Sequence, residues 1–108
     1  MFGDEQFRAQ LMNQPPKEID GAKVACFAEV SSAVRPTGTA THRREGQVLG
    51  PARGLAICQY PGEGGYYLFY CDENWAVRTD TFHSTLEDAK RQAEFEYEGI
   101  SKYWSDVV

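Results

Sequence analysis

Long apolar runs are missing from this 108-residue chain. No stretch approaches the roughly 20 residues that a membrane-crossing helix needs, and no charged segment leading into an apolar one resembles a secretory leader, so a cytoplasmic location away from any membrane is expected. Cysteine is scarce: Cys26, Cys58 and Cys71 form an odd set without C-x-x-C spacing. That argues against a disulfide framework and a zinc ribbon, and leaves small buried hydrophobes as the simplest role. Positive charge is under-represented, with 11 Lys and Arg against 16 Asp and Glu for a formal net charge of −5. A nucleic-acid backbone rewards the opposite balance, so no nucleic acid is expected and a basic partner is favoured. No Gly-rich phosphate motif, placed nucleophile or calcium loop is present, and no cofactor, metal ligand or catalytic residue is assigned.

What the chain does have is a dense run of strand signals after Arg53. Apolar residues 55–60 and 66–71 flank Pro61, Gly62, Glu63, Gly64 and Gly65, which is turn chemistry and predicts a hairpin. With Tyr60 opposite Tyr66, Cys58 falls opposite Leu68 and Ala56 opposite Tyr70. A polar turn at Asp72, Glu73 and Asn74 then returns residues 75–80 onto the second strand, with Trp75 beside Cys71 and Val77 beside Phe69. In this register Leu55, Ile57, Phe69, Cys71, Trp75 and Val77 make the core face. The other face carries Tyr60, Tyr66, Leu68, Tyr70, Arg78 and Asp80. A slip of one residue would exchange the two sets.

A helix is predicted over residues 85–98, opened by Ser84 with Glu87 in a capping box and closed by Gly99. Leu86, Ala89, Ala93, Tyr97 and Ile100 lie on one stripe at about 100° per residue, which suits burial against the core face, whereas Phe95 projects the other way. Glu94, Glu96 and Glu98 read as a solvated edge. Upstream, residues 1–21 read as an appendage, with a short helix over 4–13 carrying Phe7 and Leu11. Residues 22–30 read as a further strand beside 55–60. Residues 31–53 are expected to form a long irregular loop, rich in arginine at Arg35, Arg43, Arg44 and Arg53. His42, Arg43 and Arg44 in its middle offer a hold for an anion or an acidic surface, with plain solvated side chains as the simpler reading.

The segments LFYCDENW (Leu68 to Trp75), TDTFH (Thr79 to His83) and AKRQAEFEYEG (Ala89 to Gly99) together resemble a small bacterial protein type known mainly as uncharacterised. The resemblance covers the last half of the chain. It implies a compact cytosolic bacterial protein with a sheet and a C-terminal helix, and carries over no catalytic residue.

The expected architecture is therefore one α+β domain over residues 1–108: an antiparallel sheet of about four strands packed in two layers on one C-terminal helix. The preferred function is a non-enzymatic module that binds a protein, a ligand or a second copy of itself through the tyrosine-bearing face. Candidate binding residues are Tyr60, Tyr66, Tyr70, Arg78, Asp80 and His83, with Arg43 and Arg44 on the loop. Cover of that face by Phe7 and Leu11 is the competing reading. Two alternatives are kept: an immunity-like inhibitor of a basic toxin, suggested by size and charge, and a small enzyme in which Asp80 orients His83 for acid or base work.

Overall fold

The computed structural model describes residues 12–108. Its elements in chain order are β1 (Glu18–Ile19), β2 (Ala22–Glu29), β3 (Arg35–Pro36), β4 (Arg43–Arg44), β5 (Gln47–Val48), β6 (Gly54–Gln59), β7 (Tyr66–Cys71), β8 (Val77–His83), α1 (Leu86–Glu96), β9 (Tyr97–Glu98) and a 3-10 turn over Ile100–Lys102. β1, β2, β6, β7 and β8 form, in that order, a five-stranded antiparallel sheet. The two-layer α+β fold expected from the sequence is the one that forms. It has one strand more than expected because Glu18–Ile19 adds to β2. The expected helix over 4–13 lies almost wholly outside the described residues.

The hairpin register differs from expectation by one residue. Ile57 stands opposite Leu68, and Leu55 opposite Tyr70. Leu55 and Ile57 face the helix as expected, but β7 turns over: Leu68 and Tyr70 join them beneath Ala89 and Ala93, with Tyr66 packed at the margin. Phe69 and Cys71 occupy the opposite face with Ala56, Cys58, Val24 and Trp75, and Val77 packs against that set. The physical reason is that both faces are covered. Residues Met12 and Val107 pack on the second face, Asn13 O accepts a bond from Trp75 Nε1 at 2.6 Å, and the Gln14 side chain clasps the backbone of Val108. Period-two alternation therefore meets two apolar environments and cannot choose between them.

The return into β8 is also corrected. Asp72, Glu73 and Asn74 do form the turn, with Asp72 Oδ1 accepting from the amides of Asn74 and Ala76 at 2.8 and 3.0 Å. Trp75, however, belongs to that turn at φ 63°, a left-handed conformation that costs an aromatic residue. Val77, not Trp75, pairs with Cys71, and the strand runs on to His83 opposite Tyr66.

The helix begins one residue later than expected, because Thr85 caps it by accepting from Asp88 N at 3.0 Å. It ends at Glu96 because Tyr97–Glu98 leaves as β9 to pair with β3. Gly99 at φ 96° then turns the chain, and the Glu94 carboxylate accepts from Gly99 N and Ser101 N at 2.8 and 3.1 Å. Segment 31–53 is likewise more regular than a loop. β3 ties it to β9, where Arg35 pairs with Glu98, and β4 and β5 form a small hairpin around Glu45 and Gly46, both at positive φ.

Candidate functional site

Glu96 closes α1 with only 5% of its surface exposed. A carboxylate is almost never buried so far without partners, and here three donors converge on it. Tyr70 Oη donates to Oε2 at 2.6 Å, Gln92 Nε2 to Oε2 at 2.5 Å, and His42 Nε2 to Oε1 at 2.8 Å. The His42 ring lies against Tyr70, with centroids 4.2 Å apart, and its Nδ1 is 2.7 Å from Thr79 Oγ1. Tyr70 Oη is also 3.4 Å from Thr81 Oγ1, which is 2.7 Å from His83 Nε2. Burial, reinforced by the bond to Glu96, raises the Tyr70 hydroxyl far above the phenol range, so it stays a proton donor. Burial lowers the His83 imidazole below its ordinary value.

This cluster joins the sheet (Tyr70, Thr79, Thr81, His83), the helix (Gln92, Glu96) and the arginine-rich segment (His42). A shallow open cleft of about 140 Å³ lies above it, lined by Pro36, Thr39, His42, Leu49, Pro51 and Glu96 among others. Thr79, His42 and Glu96 have the connectivity of a nucleophile, a base and an orienting carboxylate. The space bounded by Thr79, His42 and Tyr70 is only about 10 Å³, room for a single water and not for an acyl group. Both His42 nitrogens and both Glu96 oxygens are occupied by protein, so the arrangement acts as an internal clamp that seats residues 37–50. Thr37 Oγ1 adds to it by donating to the carbonyls of Phe95 and Glu96 at 2.8 and 3.2 Å.

The opposite face carries a second feature. Phe82 is 55% exposed and meets Tyr67 edge-on, with centroids 5.1 Å apart, and Tyr67 meets Tyr60 at 5.4 Å. The three rings form a row from Tyr60, just past the end of β6, across β7 to β8. Gly65 has no side chain because Phe82 lies where its Cβ would stand, and Gly21 brings the β1–β2 turn against Tyr60. Asp80, two residues before Phe82 on the same face of β8, flanks one end of the row, and Asp20 flanks the other. Both are exposed. Burial, then the charges of Asp20 and Asp80, push the Tyr60 hydroxyl up.

The residues expected to bind are thus divided. Tyr60 and Asp80 come together at the aromatic row. Tyr70, 2% exposed, and His83 lie on the helix side, as does half-buried Tyr66. Asp80 and His83, paired only in the alternative reading of a small enzyme, point to opposite faces of β8 and do not meet. Arg78 donates to the carbonyls of Gly50 and Pro51 at 3.2 and 3.4 Å. Arg43 and Arg44 are exposed on the small hairpin. Sequence reasoning missed Tyr67, Phe82 and Asp20 in the row and Glu96, Gln92, Thr79 and Thr81 in the cluster. Extending the alternation of β8 to residue 83 separates Asp80 and Phe82 from Thr79, Thr81 and His83.

Cys26, Cys58 and Cys71 are free and buried, and burial pushes their thiols up to about 11, 12 and 12. Among the described residues no group of three or more His, Cys, Asp or Glu could hold a metal ion, and no helix is long and apolar enough to cross a membrane. The chain matches no protein-family model, no curated protein and no solved structure.

Proposed function

We propose that this chain is a non-enzymatic protein-binding module of the bacterial cytoplasm, and that its contact surface is the row Tyr60, Tyr67 and Phe82. The observation that carries this reading is the exposure of Phe82, 55% open on β8 while most other aromatic side chains of the sheet are withdrawn. Aromatic residues supply contact area at little entropic cost, and a row seated on a sheet needs no rearrangement to bind. The polar cluster supports the same reading from the other side: His42 is bonded on both nitrogens and Glu96 on both oxygens, and the space beside Thr79 is only about 10 Å³. An inhibitor of a basic toxin is a narrower form of this function.

The test is affinity capture from the source cell with the native chain and with Phe82→Ala. Truncating a central aromatic anchor removes about 1–2 kcal/mol, roughly tenfold in affinity. A partner held by the native chain and released by Phe82→Ala is expected. A partner held equally by both, and released instead by Phe95→Ala on the exposed side of α1, overturns the assignment of the surface.

A further inference from the structure

Resting on the aromatic row as the contact surface, we infer that its ligand is cationic and planar: arginine side chains of an extended segment of a basic protein. The first ground is charge complementarity. Asp80 and Asp20 bracket the row, and neither lies within ion-pair distance of a basic residue among the described residues. Glu63 in the β6–β7 turn adds an exposed carboxylate on the approach. Together with a net charge of −5, this repels an anionic partner and favours a cation.

The second ground is ring geometry. Tyr60 and Tyr67 are inclined at 84° and Tyr67 and Phe82 at 64°, so the row presents alternating faces and edges. That denies a sugar the flat platform it stacks on, and it leaves more than half of Phe82 open, an aromatic ring with a negative quadrupole on the same face of β8 as the exposed Asp80 carboxylate. A guanidinium can lie on such a ring and donate in its own plane to a neighbouring carboxylate. An ammonium cannot do both in that way. The edge of β8 supports an extended ligand. Among the described residues, the only backbone bonds made by residues 79–83 are those of the β7–β8 ladder; β4 and His42 lie alongside the strand near Thr79, and a segment laid along the edge beyond them would set side chains over Phe82 and Asp80.

The probe is a blocked Gly-Arg-Gly-Arg-Gly peptide, compared with the same peptide carrying citrulline, which keeps the planar shape and loses the charge. Binding is read from the ring-proton resonances of Tyr60, Tyr67 and Phe82 during titration. Saturable ring shifts are expected with arginine, with affinity about fivefold weaker for citrulline on the usual strengths of an exposed cation–π contact and ion pair. Asp80→Asn should close the smaller part of that gap, less than about twofold. Phe82→Leu, which keeps every charge, should weaken the arginine peptide by about threefold.

Equal binding of the two peptides overturns the cationic ligand and leaves the row standing as a contact surface. Arginine-induced shifts confined to Glu87, Asp88 and Glu94, or insensitive to Phe82→Leu, reduce the effect to general charge attraction and overturn it as well. So do ring shifts that appear on concentrating the protein alone, which would make a second copy the occupant. No ring shifts at millimolar peptide overturn the inference, and the capture experiment with Phe82→Ala then decides separately whether the row binds anything.

Discussion

Removing the Glu96 side chain should cost this domain a large part of its stability. In Glu96→Ala, Tyr70 Oη loses its 2.6 Å acceptor and His42 Nε2 its 2.8 Å acceptor, and these side chains are 2% and 18% exposed. Each buried donor left without a partner costs about 1–3 kcal/mol. Gln92, nearer the surface, can turn to water. The expected loss is therefore about 3–5 kcal/mol, the range seen when one member of a buried pair is deleted, against a total of about 5–15 kcal/mol for a domain. Urea unfolding followed by tryptophan fluorescence measures it through the shift in midpoint at constant slope. Glu98→Ala is the control: its pairing with Arg35 is exposed on both sides, so the loss should stay under about 1 kcal/mol. A Glu96→Ala loss below about 1 kcal/mol, or one no larger than that of Glu98→Ala, would refute the clamp.

His42→Ala should release the clamp locally. Amide exchange is expected to quicken at Leu49, whose N–H bonds His42 O at 2.8 Å, while the amides of β6 and β7 keep their protection. Gly54→Ala forces a Cβ into the buried Trp75 ring and should destabilise by about 1–3 kcal/mol in urea unfolding. Gly65→Ala meets the movable end of exposed Phe82 and comes within 3.1 Å of the His83 carbonyl, so it should shift the ring resonances of Phe82 and Tyr67 and lower the midpoint by less than Gly54→Ala does. The His83 pKa is lowered from 6.5 in the folded state, so below that pH the unfolded chain takes up a proton that the folded chain refuses. Stability should fall as pH drops from about 6.5, and His83→Gln should flatten that part of the profile. The three thiols, raised to about 11, 12 and 12, should resist alkylation at pH 8 until urea unfolds the chain.

Which parts of this structure could be read from the residues follows from how many environments each residue had to choose between. The stripe Ala89, Ala93 and Ile100 has one apolar side and one polar side, so its period names the buried face, and all three are fully buried. The turn at Asp72 to Asn74 has one economical conformation. Residues 22–30 have apolar side chains on both faces and still read correctly as a strand beside β6, because pairing needs no choice of face. The β6–β7 register did need one. Tyr70 with Leu68, or Phe69 with Cys71, could each have gone under the helix, and what decides between them is a polar atom: Tyr70 under α1 finds Glu96, whereas on the other face its hydroxyl would lie among Ala56, Cys58 and Trp75.

That selection could have been anticipated from Glu96 itself. Expected on a solvated edge with Glu94 and Glu98, it is instead buried; it lies three residues after Ala93 and seven after Ala89, beside the stripe predicted to be buried, and a carboxylate in that position demands donors. Tyr70 is the strand residue able to reach it through the core, which puts β7 in its observed register. His42, 54 residues away in sequence, fills the remaining site only because β3 and β9 first bring segment 31–53 alongside the helix end, a pairing of two-residue strands that leaves almost no mark on the pattern. The aromatic row follows from the same choice. Once Tyr70 goes inward, strand alternation sends Tyr67 outward, and Phe82 and Asp80 follow it across the β7–β8 ladder. The buried carboxylate on one side of the sheet thus determines which rings are left for a partner on the other. A Tyr70→Phe chain that keeps the register should accordingly lose stability yet bind the arginine peptide as the native protein does.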